Sequence, residues 1–147
     1  MTPMDVITLS IAILGAVLGL VSTWHTLDRS RLKLKVRPAQ AIPYGAANPN
    51  INFCIEVTNL SDFAVTMKEV GFFYRGMKSR GAIVRPVLVD GGTWPRRLES
   101  RTSVTIYCHV SSENIDKNIK VAYATTECGR TKIGNSPALK QLAQGNM

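Results

Sequence analysis

From residue 38 onward the chain has one histidine, His109, three cysteines, Cys54, Cys108 and Cys128, and eight carboxylates running from Glu56 to Glu127. These are the side chains that could attack, move a proton or hold a metal. Nucleophilic hydrolysis needs a nucleophile, a base beside it and an acid that orients the base. His109 alternates with Val104, Ile106, Cys108 and Val110, which puts it on the exposed side of its strand, and no G-x-S-x-G turn accompanies it. No CxxC pair exists, and two histidines in all give no zinc-ligand spacing. Gly71, Gly76, Gly81, Gly91 and Gly92 match neither a phosphate loop nor a dinucleotide fingerprint and read as turn or bulge positions. The carboxylates are scattered, and spacing alone leaves a spatial pair open. The expectation is a non-enzymatic protein with no metal and no cofactor.

Two basic segments offer binding rather than catalysis. Arg75, Lys78, Arg80 and Arg85 run without an intervening acid, and Arg96, Arg97 and Arg101 follow Trp94 with only Glu99 opposing them. Arg75, Lys78, Arg80, Trp94, Arg96 and Arg97 are the candidate partner-binding residues. Solvated loops, anionic lipid and an acidic protein partner all fit such charge. A nucleic-acid site would add stacking aromatics, but Phe72, Phe73 and Tyr74 are wanted for a core, so nucleic acid is disfavoured.

What would position these residues begins with a span. Val6–Trp24 is 19 residues without an ionisable side chain, and ten of them are Leu, Ile or Val. As a helix it covers about 28 Å, close to a bilayer's hydrocarbon core. A cleaved signal peptide would need a basic start and a small-residue cleavage site, whereas this run starts without Lys or Arg and ends at Trp24 and His25. A helix buried in a soluble fold is the other alternative, but a run apolar on every side, with ten Leu, Ile and Val residues, favours insertion by several kcal/mol. Residues 1–24 are therefore read as a transmembrane anchor. All 18 basic residues lie after it, against nine of the ten acids. Arg29, Arg31, Lys33, Lys35 and Arg37 crowd the following stem, residues 25–37, so the positive-inside rule puts the N-terminus outside and the rest in the cytosol. The stem basics could also meet anionic membrane lipid. Ala12, Gly15, Gly19 and Ser22 fall on one stripe with a GxxxG step. That stripe suggests homo-oligomeric helix packing or docking on another membrane protein, against the plain alternative that small residues are common in spans.

Past the stem, period-two alternation dominates. Leu32, Leu34 and Val36 alternate with basic residues, so the stem runs into the first strand. Pro43–Asn50 reads as a loop, and Ile51, Phe53, Ile55 and Val57 as a half-buried strand ending at the Asn59–Asp62 turn. Apolar parity flips between Phe63-Val65-Met67 and Val70-Phe72-Tyr74, which predicts a bulge near Lys68–Gly71 or a strand passing from one sheet to the other. AIVRPVLV reads as an edge strand because of Pro86. Val104–Val110 and Ile119-Val121-Tyr123 are further strands, TKIG a short last one, and PALKQLAQ a brief helix with Pro at its first turn. About seven short strands over residues 38–136, with a helical tail over 137–147, predict a mainly β, immunoglobulin-like antiparallel sandwich. Cys54 faces outward and Cys108 inward, so no inter-sheet disulfide is expected.

The stretch VTNLSDFAVTMKEVGFFY, followed by RLESRTSVTIY, resembles a pattern in small bacterial single-span membrane proteins of uncharacterised function. In these an N-x-S/G turn joins two core strands and an L-E/P segment enters a later one. The resemblance implies an N-terminal helix, a charged stem and a C-terminal immunoglobulin-like sandwich, and it brings no catalytic residues. The function expected is a single-pass inner-membrane interaction protein that presents its cytosolic domain to a protein partner. The alternative is an envelope protein whose sandwich lies outside the cytosol and serves adhesion or assembly. Asn59-Leu60-Ser61 is also a glycosylation triplet, unused in a cytosolic domain.

Overall fold

The computed structural model describes residues 3–42, 44, 51–76, 78–110 and 119–144. The chain divides into two units, Met1–Leu32 and Lys33–Met147. The loop expected at Pro43–Asn50 lies, Tyr44 apart, outside the described residues.

The first unit is one helix, α1, Pro3–Ser30. None of its residues is buried, although its mean hydropathy reaches 2.3 over an 18-residue window. Its hydroxyls are handled locally. Thr8, Ser10, Thr23 and Thr26 donate to the carbonyls of Met4, Val6, Gly19 and Ser22 at 2.8–3.0 Å. Each of these four hydroxyls thus returns its hydrogen bond to its own backbone, the arrangement that suits surroundings without water. The helix continues through His25–Ser30. The basic stem is therefore split, with Arg29 in the helix, Arg31 and Lys33 in the connection, and Lys35 and Arg37 in the first strand.

The second unit is mainly β, with two antiparallel sheets built from β1 Leu34–Gln40, β2 Phe53–Asn59, β3 Val65–Tyr74, β4 Arg80–Ala82, β5 Arg96–Leu98, β6 Ser103–Cys108, β7 Ile119–Thr126 and β8 Thr131–Gly134. A helix, α2, Pro137–Ala143, ends it. The smaller sheet has the order β1-β2-β6, and the larger β4-β3-β7-β8 with β5 also on β3. Alternation works as the sequence predicts along β2 and β6. Phe53, Ile55 and Val57 of one strand and Val104, Ile106 and Cys108 of the other are buried, with the intervening residues part-exposed. The two sheets meet through Phe53 and Phe72, whose rings lie 5.8 Å apart. Pro38 lies in β1, the end strand of its sheet, where a missing N–H costs no ladder bond.

The register shifts between Met67 and Glu69, inside the region where parity predicts a bulge, so Lys68 and Glu69 both leave the core. A second shift, opposite Phe73 and Tyr74, corrects the reading of β7. The Ile119-Val121-Tyr123 alternation does not hold one face. Ala122 and Ala124 oppose Phe72 and Val70 and fill the narrow interior, while Tyr123 opposes Gly71 on the other face. Gly71 is required there, because a Cβ would stand 2.0 Å from the Gly81 carbonyl oxygen of β4. Phe63 falls in the turn, and β3 starts at Val65. AIVRPVLV is no continuous strand. After β4 it keeps only the Ile83 N–H to the Val70 carbonyl and a lone bridge between Val87 and Tyr107. Pro86, next to that bridge, has no N–H with which to extend it. Ser136 caps α2 by accepting the Leu139 N–H at 3.1 Å, and the Leu139 side chain is buried as the helix packs on β7 and β1.

Candidate functional site: the two ends of the β unit

The strands run between two ends of different character. The chain enters at the first. There Asn59, fully buried at the end of β2, donates from Nδ2 to the carbonyls of Phe63, Leu98 and Glu99 at 2.8, 3.3 and 3.1 Å. Its Oδ1 accepts the Ser61 N–H at 3.0 Å. Ser61 Oγ accepts the Lys33 N–H at 2.8 Å, and Ser100 Oγ donates to the Ser61 carbonyl at 2.9 Å. Arg101, at φ 61°, reaches Asp62 at 2.9 Å. The N-L-S turn and the L-E-S-R segment are thus halves of one hydrogen-bonded joint. An amide this enclosed has no room for a glycan, so the triplet is structural in the folded chain.

Four of the six candidate binding residues gather on one edge of β3. β5 pairs at Val65–Met67 and β4 at Gly71–Phe73, with the Trp94 indole N–H donating to the Lys68 carbonyl at 3.0 Å between them. This brings Arg80, Trp94, Arg96 and Arg97 together, but the three arginines are engaged by the chain's own acids. Arg80 grips Glu69 with two nitrogens at 3.0 and 3.2 Å, Arg96 pairs with Asp90, and Arg97 with Glu99 at 2.9 Å. Glu69 also accepts a short hydrogen bond from the Tyr123 hydroxyl. Arg80 lies 5.8 Å over the Tyr123 ring, which packs on Phe73 at 4.5 Å. Burial first, and the Glu69 carboxylate second, push the Tyr123 hydroxyl far above its ordinary range. This cluster holds β3, β4 and β7 together, and Trp94 clasps the bulge.

Arg75 and Lys78 are placed otherwise, in the turn after β3 at the far end. Two hollows open there. The larger, about 380 Å³, lies between the β4 segment and the end of β6 and is lined by Phe72, Ile83, Val84, Val87, Val110 and Ile119, with Arg85 and His109 beside them. The smaller, about 320 Å³, lies between α2 and β7, where Arg75, Lys120 and Lys140 surround Ile119 and Leu139. Ile119 lines both. Among the described residues no acid lines either hollow, and Arg75, Lys78, Arg85, Lys120 and Lys140 have no ion-pair partner. Lys120 and Lys140 carry no signal in the sequence, because β7 and α2 meet only in the fold.

The cysteines are free. Burial, then the neighbouring Cys54, pushes the Cys108 thiol up to about 12, while the exposed Cys128 thiol is lowered, chiefly by its hydrogen bond with Thr126. Among the described residues no group of three His, Cys, Asp or Glu side chains is placed to hold a metal.

No family model matches the chain, and no curated protein matches it. Among solved structures it is similar to a Northeast Structural Genomics Consortium target determined by X-ray crystallography. The identity is 14%, covering 70% of this chain and 80% of that one, at a TM-score of 0.33. A likeness at that distance assigns neither a fold family nor an activity.

Proposed function

We propose that the protein is a non-enzymatic, single-pass interaction protein of the bacterial inner membrane. Its N-terminus lies outside, and its β unit binds or recruits a protein partner at the cytosolic surface. The observation that carries this reading is α1, a 28-residue helix in which nothing is buried while its hydroxyls bond back to their own carbonyls. Water would leave that apolar surface uncovered, whereas lipid covers it, and ten branched aliphatics at roughly −0.3 to −0.6 kcal/mol each favour insertion by several kcal/mol. Orientation rests on the charge asymmetry, with Asp5 alone on one side and Arg29, Arg31, Lys33, Lys35 and Arg37 on the other.

The proposal extends to an immunoglobulin-like sandwich of the kind the bacterial resemblance implies. Taking β1, β2 and β6 as strands A, B and E, and β4, β3, β7 and β8 as C′, C, F and G, the sheet orders are those of such a sandwich. One departure is that β5 joins β3 instead of the A-B-E sheet.

Alkaline extraction of membranes tests the anchor, and the full-length protein should stay in the pellet. Two C-terminal reporters, one active only in the cytosol and one only outside, test the direction. Activity of the outside reporter would replace the cytosolic placement with the envelope alternative, and release of the protein by alkali would end the membrane reading itself.

A further inference from the structure

We infer that the end of the β unit farthest from Lys33 is the partner-binding end, and that it takes an acidic protein segment carrying apolar side chains. The apolar side chain enters the 380 Å³ hollow, and Asp or Glu residues on either side of it meet Arg85 at that hollow, Arg75, Lys120 and Lys140 at the smaller one, and Lys78 in the turn after β3. This rests on the recruitment reading above and names the chemistry of the partner.

Three observations converge. The first is the sorting of charge. Arg80, Arg96, Arg97 and Arg101 are each neutralised by an acid of the same chain, yet Arg85 at the larger hollow, Arg75, Lys120 and Lys140 at the smaller one, and Lys78 in the turn beside Arg75 are not paired with any described carboxylate. None of the four acids in those pairs lines either hollow, and the described lining of this end is complementary to carboxylates brought from outside. The second is bare apolar surface. Val84 is 86% exposed and Val87 45% at the rim of the larger hollow, and Ile42, just past β1 at the same end, is 80% exposed. Branched aliphatics left uncovered beside a hollow of this size and lining are the signature of a binding site. The third is location. β1 spans seven residues, about 23 Å, so this end stands a strand length away from Lys33. Protein segments are favoured over bare anions because most of the larger hollow's lining is aliphatic or aromatic, which offers a phosphate nothing.

The test uses the full-length protein in neutral detergent micelles. Its probe is a dye-labelled peptide alternating Glu with Leu and Phe, read by fluorescence anisotropy against the same peptide with Lys for Glu. The acidic peptide should bind at least tenfold tighter than the basic one. The combined Arg75→Glu, Lys78→Glu and Arg85→Glu variant should lose at least tenfold in affinity, and so should Val84→Asp alone. Arg97→Glu, at the entry end, should stay within twofold. Far-ultraviolet circular dichroism confirms folding, and Arg75→Ala with Arg85→Ala replaces the triple reversal should that variant unfold. Equal binding of both peptides, or an unimpaired triple variant, would overturn the inference. So would full displacement by inorganic phosphate, which would make the site a simple anion site. So would loss of peptide binding in phosphatidylglycerol nanodiscs with retention in phosphatidylcholine ones, which would give the cations to lipid headgroups. Because micelle binding does not depend on topology, failure here leaves the anchor to be judged by extraction and reporters alone.

Discussion

The entry end of the β unit and its far end both carry polar and charged side chains and use them in opposite ways. At the entry end Asn59, Ser61, Ser100, Arg101 and Asp62 bond one another and the backbone until nothing buried is left over. At the far end, Arg75, Arg85, Lys120 and Lys140 line two hollows that hold no acid among the described residues. The lesson is that a basic residue's sequence neighbourhood does not reveal its task. Arg96 and Arg97 look like a binding pair, yet each stands in a surface ion pair with an acid of the same chain, whereas the separated Lys120 and Lys140 end up facing one hollow.

The largest effect that would break this contrast is at Asn59. Asn59→Ala removes four hydrogen bonds at a fully buried position and strands the carbonyls of Phe63, Leu98 and Glu99. The expected loss is about 3–5 kcal/mol by urea denaturation. A loss under about 1 kcal/mol would mean that the entry end is not held by this joint. Leu139→Ala comes next, at about 3 kcal/mol, because a buried side chain that α2 sets against β7 and β1 leaves a cavity. An effect of that size shows that the far end is open around its rim while its floor is packed.

Cys108 sharpens the contrast through pH. Its thiol is raised to about 12 in the folded state, against about 8.5 in an unfolded chain. Folding therefore favours the protonated thiol, and the contribution is complete below about pH 8.5 and lost as pH climbs toward 12. Melting curves should show a decline of up to about 1.4 kcal/mol per pH unit in that window from this group, absent in Cys108→Val. In the native protein at neutral pH a thiol reagent should label the exposed Cys128 first and Cys108 only on unfolding. The smallest effect sits at the rim. Arg75→Ala, Lys78→Ala and Arg85→Ala should each change stability by less than about 0.5 kcal/mol, since none has an ion-pair partner among the described residues. A larger loss at any of them would make that cation part of the fold.

Much of the fold is legible in the sequence because burial writes itself with period two. The alternations at Phe53-Ile55-Val57 and Val104-Ile106-Cys108 and the bulge by Lys68 are local facts, and so is the capped Pro137–Ala143 helix. The failures have a common cause in pairings across the fold. A second bulge hands the interior of β7 to Ala122 and Ala124, which look too small to mark a core. Pro86 and the exposed Val84 and Val89 leave AIVRPVLV a looped segment held at Val87. The ion pair between Arg80 and Glu69 bridges neighbouring strands β4 and β3, and Asn59 reaches residues some forty positions away. None of these has a spacing to read. For the candidate site, Arg75 and Lys78 are legible as charge, but their company is not.

The enclosed amide of Asn59 bears on how sidedness can be measured. Its N-L-S triplet invites sugar-addition mapping, in which an occupied acceptor reports a lumenal face. Here the transferase would meet that nitrogen only before the chain closes, so an unmodified Asn59 records the order of folding and translocation and leaves the compartment undetermined. Acceptor tags grafted at the C-terminus, clear of this joint, are the ones that answer for topology.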